Sequence, residues 1–138
     1  MSERKTDEIR TAACSCGSFR LTVKGAPERV YACACLECQK ATGSAFSYRA
    51  RYSKDAIALD EGDRRRFRRL NDAGMWMDQV FCPNCGTILY MEAEVINDKL
   101  VVSVGCFGEP DFRAPASIYW SRRRHAWYEP DGEIDLIE

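Results

Sequence analysis

The stretch Cys33-Ala34-Cys35-Leu36-Glu37-Cys38 carries three thiols within six residues. Side chains placed this closely compete for the same small space, so they are not core filler. Two cysteine pairs flank the triplet, Cys14-Ser15-Cys16 upstream and Cys82-Pro83-Asn84-Cys85 downstream. Eight cysteines allow a disulfide reading, but bridges within C-x-C and C-x-x-C spacing would close very small, strained loops. A thioredoxin-type redox CxxC requires an alternating βαβ pattern, which this chain lacks. The first thirteen residues are polar and charged, with no apolar stretch of the signal-peptide kind. The expected compartment is therefore the cytoplasm, where thiols stay reduced and clustered cysteines act as metal ligands.

A structural zinc takes four ligands in a tetrahedron, commonly thiolates at about 2.3 Å. In Cys82-Pro83-Asn84-Cys85-Gly86 the two intervening residues let both sulfurs point at one ion, and Gly86 lets the backbone turn away. Cys14-Ser15-Cys16-Gly17 repeats this logic with tighter spacing. Each pair supplies half a tetrahedron, so Cys14, Cys16, Cys82 and Cys85 are expected to clasp one zinc. Cys33, Cys35 and Cys38 supply only three ligands for a second zinc and leave a position open, as in reactive sites. Three thiolates on a divalent ion leave a net charge near −1, a weak activator of water and a soft partner for sulfur. That favours a thiol substrate over hydrolysis. Cys106 has two possible places: a fourth sulfur that closes the triplet, or a free core thiol.

Around these clusters the pattern is β. Phe19, Leu21 and Val23 alternate with Arg20, Thr22 and Lys24, the period of a half-buried strand ended by Gly25-Ala26-Pro27. Residues 30–32 form a short strand that delivers Cys33, and residues 39–43 one helical turn closed by Gly43. Further strands are expected over residues 45–52, 56–59, 64–70, 75–81, 86–92, 100–104 and 117–121, and an acidic tail begins at Asp131. Short strands at close spacing predict a mainly antiparallel β domain over residues 13–138, preceded by a flexible lead-in over residues 1–12. A length of 138 residues suits one domain. A formal charge of −1 argues against a polycation that coats nucleic acid. No apolar run approaches the ~20 residues that span a bilayer.

These motifs resemble the family of glutathione-dependent formaldehyde-activating enzymes and the related centromere protein V domains. The likeness rests on Cys14-Ser15-Cys16-Gly17, on residues 33–43 and on Phe81-Cys82-Pro83-Asn84-Cys85-Gly86-Thr87. Trp120-Ser121-Arg122 and Trp127-Tyr128 extend it toward the C-terminus. The resemblance implies a β-tent-like fold of small coiled sheets, with structural zinc on Cys14, Cys16, Cys82 and Cys85. It also implies a reactive zinc on Cys33, Cys35 and Cys38, and addition of glutathione to formaldehyde to give S-hydroxymethylglutathione, a carbon-sulfur lyase activity. Two positions depart from the family's pattern. Ala34 stands where the family often has His, and Gly105-Cys106-Phe107-Gly108-Glu109-Pro110 replaces a Gly-x-Leu-Asp-Asp-Pro segment.

Other readings compete. Cys35-Leu36-Glu37 with a later CxxC is similar to the zinc-deaminase signature, but Phe81 rather than Pro precedes Cys82, and four cysteines would be left without a role. The alternative from a different class is a non-catalytic zinc scaffold that contacts protein or nucleic acid. Its basic face would come from Arg64-Arg65-Arg66-Phe67-Arg68-Arg69 and Arg122-Arg123-Arg124. The acids at Asp60, Glu61 and Asp63 instead suggest a solvated strand face, and a third use of the arginines is to attract the carboxylates of a glutathione-like substrate. Glu37 is either a base beside the triplet or a surface charge. The only histidine, His125, rules out a His-rich hydrolytic zinc site. Trp76, Trp120 and Trp127 read as sheet-packing residues.

Overall fold

The computed structural model describes residues 8–138. Strand β1 (Ile9–Ala13) pairs antiparallel with β2 (Arg20–Lys24), placing Ala12 opposite Leu21. As the alternation predicts, Phe19, Leu21 and Val23 are fully buried. The lead-in expected over residues 1–12 gives way to a strand from Ile9 onward, and its residues 1–7 lie outside the described range. Ile9-Arg10-Thr11-Ala12 has little strand pattern of its own. β2 and an Arg10–Glu109 ion pair at 3.1 Å supply its order.

β5 (Ile57–Glu61) completes a three-stranded antiparallel sheet in the order β1-β2-β5. The larger sheet contains β3 (Arg29–Cys33), β4 (Ser47–Ser53), β6 (Arg65–Leu70), β7 (Trp76–Phe81) and β8 (Ile88–Ala93). It also takes β9 (Lys99–Ser103), β10 (Ser117–Tyr119) and β11 (Asp135–Ile137). Its order is β11-β10-β3-β4-β9-β8-β7-β6. The mainly antiparallel expectation holds except at β10, which runs parallel to both β3 and β11. The acidic tail thus ends in a strand, fastened where the Asp135 amide donates to the Ala116 carbonyl at 3.0 Å.

Helix α1 (Leu36–Thr42) starts earlier than the turn expected at residue 39, because the Cys35 sulfur caps it by accepting from the Cys38 amide at 3.3 Å. Gly43 closes it in the left-handed conformation, as expected. Among the described residues no helix is long and apolar enough to cross a membrane.

The core lies between the sheets. Val30, Ala50, Tyr52, Val80, Tyr90 and Val102 of the large sheet meet Phe19, Leu21 and Val23, each large side chain contributing about 1.5–3 kcal/mol by burial. Arg64 joins the layers: it donates to the Tyr90 hydroxyl at 2.8 Å, pairs with Asp60 and lies 4.7 Å over the Phe19 ring. Burial pushes the Tyr90 phenol up to about 12. At the far end of the sheet Arg68, Asp78 and Glu92 are register partners, and Arg66 bridges Asp78 at 3.3 Å and Glu92 at 2.6 Å. Asp78 is 1% exposed, and its hydrogen bond from Arg68 holds its carboxyl below the usual range.

One close approach positions the first cysteine cluster. Gly62 has φ 105°, and a Cβ there would lie 2.8 Å from the Phe19 Cα and closer still to the Ser18 carbonyl oxygen. Gly62→Ala is expected to cost about 2–4 kcal/mol in urea unfolding, because both obstacles are backbone. A midpoint equal to wild type would show that the turn at Gly62 yields freely.

Candidate functional site

The turn after β1 and the turn after β7 are built alike. The Gly17 amide donates to the Cys14 carbonyl at 3.0 Å, and the Gly86 amide to the Cys82 carbonyl at 2.8 Å. Both glycines are left-handed, with φ 81° and 80°. Backbone amides then point at sulfur: Phe19 N to Cys14 at 3.3 Å, Asn84 N and Cys85 N to Cys82 at 3.4 and 3.5 Å. The four sulfurs of Cys14, Cys16, Cys82 and Cys85 lie within 4.8 Å of one another. Cys14–Cys16 and Cys16–Cys82 are 3.6 and 3.7 Å apart. The edge of a zinc–thiolate tetrahedron is about 3.8 Å for bonds of about 2.3 Å, so the donor set fits a metal ion. These separations are far too long for disulfides, and all eight cysteines are free. A hydrogen bond from Thr87 draws the Cys85 thiol down to about 5.

Cys33 ends β3, Cys35 caps α1 and Cys38 lies in its first turn, so strand end and helix start bring these sulfurs within 4.8 Å as a second group. Cys106 does not join it. Its sulfur is 3.8 Å from the Ile88 carbonyl, it packs on the main core, and burial followed by Cys14 and Cys85 pushes its thiol up to about 11. Of the two places open to Cys106, it takes that of the free core thiol, and the triplet stays three-sided among the described residues.

The triplet opens on a cavity of about 720 Å³, which also receives Glu37, Arg69, Asp72, Met77 and Trp120. Three strands separate β3 from β7 in the sheet order, so a shared cavity requires the sheet to coil and bring the β6–β7 hairpin over the triplet. Trp120 is the one non-glycine residue with positive φ (56°) among the described residues. That conformation costs about 1–2 kcal/mol and places an expected packing residue, 44% exposed, at the cavity wall. Ala34 is fully buried against Ala32 and Ile118, so this departure from the family's pattern belongs to the core.

Arg49 was not foreseen as a site residue. It is 9% exposed on β4, one strand from Cys33. Its Nη2 donates to the Cys38 sulfur at 3.5 Å, its Nε to Ser47 Oγ at 2.8 Å, and its Nη1 meets the Met91 sulfur. None of these partners is a carboxylate. A buried cation needs a counter-charge, and the thiol cluster is the anionic group at hand. The hydrogen bond with Cys33, then Arg49, draws the Cys38 thiol down to about 5, while the same bond and burial push Cys33 up. In the sequence Arg49 is one of many arginines on alternating positions. Only the register of β3 and β4 singles it out.

The basic run over residues 64–69 is divided by the pleat. Arg64, Arg66 and Arg68 are taken by Asp60, Asp78 and Glu92, while Arg65 and Arg69 form no ion pair among the described residues.

Fold and site together define a mainly β domain with two cysteine groups that could hold metal ions. The chain belongs to the glutathione-dependent formaldehyde-activating enzyme family, whose model matches residues 9–123. Its fold is similar to the crystal structure of a Rhodobacter sphaeroides protein, a Northeast Structural Genomics target. The TM-score is 0.53 at 16% identity, covering 73% of this chain and 92% of that one. No curated protein matches the sequence.

Proposed function

We propose that this chain is a zinc-dependent enzyme of the carbon-sulfur lyase type, acting on a glutathione-like thiol and its aldehyde adduct, such as S-hydroxymethylglutathione. In this reading Cys14, Cys16, Cys82 and Cys85 hold a structural zinc, and Cys33, Cys35 and Cys38 hold a second. The second ion, when bound, supplies a thiophilic position that favours the deprotonated form of a substrate thiol. The observation that carries the reading is the three-sided thiol group on an open cavity, backed by a buried arginine with no carboxylate partner.

Addition forms one S–C bond and breaks the carbonyl π bond, and the thiol's proton ends on the new hydroxyl oxygen. The reverse cleaves that S–C bond and returns the proton to sulfur. Arg49 offsets the charge of the triplet, Trp120 forms part of the cavity wall, and Glu37 at the cavity holds a carboxylate for the travelling proton. A reducing, cytoplasmic setting keeps the thiols available.

The test is zinc analysis together with NMR of carbon-labelled formaldehyde and glutathione. Wild type is expected to carry about two zinc per chain and to exceed the spontaneous rate; Cys35→Ser should keep its fold, lose about one zinc and fall to background. A wild-type rate no faster than the spontaneous one would favour the scaffold, and unfolding of Cys35→Ser would make the triplet structural.

A further inference from the structure

Among the arginines of β6, Arg69 stands apart. Arg66 and Arg68 point to the face that carries Asp78 and Glu92, and both are ion-paired. Arg69 is on the opposite face, a register partner of Met77, and both side chains line the cavity that holds Cys33, Cys35 and Cys38. Its Nε is buried and has no hydrogen-bond partner among the described residues. Glu37 and Asp72 line the same cavity, yet neither forms an ion pair with it; Glu37 is 3.9 Å from Lys40 instead. A half-buried guanidinium whose Nε is withdrawn from water and unmatched is suited to an acceptor arriving with a ligand, and its planar fork matches a carboxylate. The cavity's 720 Å³ falls within the ~300–1,000 Å³ usual for small-molecule sites.

We propose that Arg69 receives a carboxylate of the thiol substrate, so that the site selects thiols carrying a carboxylate at a distance from sulfur. The proposal rests on the thiol-enzyme reading above and adds its specificity determinant. The substrate is then gripped at two ends, sulfur at the triplet and carboxylate at Arg69, with Trp120 and Met77 lining the cavity between them. Two sources of carboxylate exist in a γ-glutamyl tripeptide thiol, the glycyl end and the γ-glutamyl end. Esters tell them apart.

The experiment is calorimetric titration of zinc-loaded full-length protein with glutathione, its glycyl monoethyl ester and its diethyl ester. It is run on wild type, Arg69→Gln and Arg69→Lys, with zinc content and circular dichroism measured on each. Wild type is expected to lose about tenfold to a hundredfold in affinity when the recognised carboxylate is esterified. A loss already present in the monoester assigns the glycyl end, and one appearing only in the diester assigns the γ-glutamyl end. Arg69→Gln should bind glutathione as weakly as wild type binds that ester and should no longer distinguish the two. Arg69→Lys should recover part of the difference. If wild type binds all three ligands equally, or Arg69→Gln still distinguishes them, the role of Arg69 is overturned while the thiol reading stands. If wild type binds none of them, the thiol reading falls and Arg69 with it.

Discussion

Replacing Cys82 with serine is expected to unfold this domain outright. Cys82 is fully buried, lies 3.7 Å from Cys16, and accepts from the amides of Asn84 and Cys85. Through it the turn after β1 in the small sheet is tied to the turn after β7 in the large one, across 66 residues of chain. Structural zinc contributes about 10–16 kcal/mol in small metal-dependent domains, comparable to or larger than the ~5–15 kcal/mol by which a domain is stable. Losing one thiolate of four removes much of that. The expected result for Cys82→Ser is no cooperative thermal transition and loss of both metals, read by circular dichroism and metal analysis. A melting temperature within a few degrees of wild type would mean that the sheets hold together without the clasp.

Arg49→Met should separate charge from packing. Methionine is unbranched and flexible, so it can fill much of the space beside Met91 and keep the fold, and an apolar replacement of a buried ion is often tolerated. What it removes is the guanidinium 3.5 Å from the Cys38 sulfur. A triplet with a divalent ion then carries an uncompensated charge near −1. In a chelator competition the second zinc is expected to bind about tenfold to a hundredfold more weakly, with the first unchanged and activity falling in step. Arg49→Lys should recover only part, because one ammonium cannot serve Ser47, Met91 and Cys38 at once. Equal affinity in wild type and Arg49→Met would leave the buried arginine without the role given to it.

Cysteine spacing made both clusters legible, because one or two intervening residues restrict where sulfurs can point. Strands with a strong period, such as that of Phe19, Leu21 and Val23, were legible for a similar local reason. What escaped depended on distant partners. Ile9–Ala13 is ordered by β2, and Asp135–Ile137 by β10. Cys106 sits beside the first cluster because the turn after β9 packs there, which no spacing announces. Arg69 differs from its neighbours through register and sheet coiling, since Arg66 and Arg68 on the other face meet Asp78 and Glu92, and Arg49 is singled out by the register of β3 and β4. Trp120 reads as packing until its left-handed backbone is seen.

The parallel strand β10 sets an order on assembly during synthesis. Both halves of the clasp lie within residues 14–85, so that site can form while the rest of the chain is still being made. Cys33, Cys35 and Cys38 also emerge early, but β3 has no neighbour on its outer edge, and Ala34 no Tyr119 carbonyl at 2.9 Å, until residues 117–119 arrive. Trp120 follows directly behind them. A nascent chain would thus bring its first cysteine cluster together before residues 117–120 complete the thiol cavity.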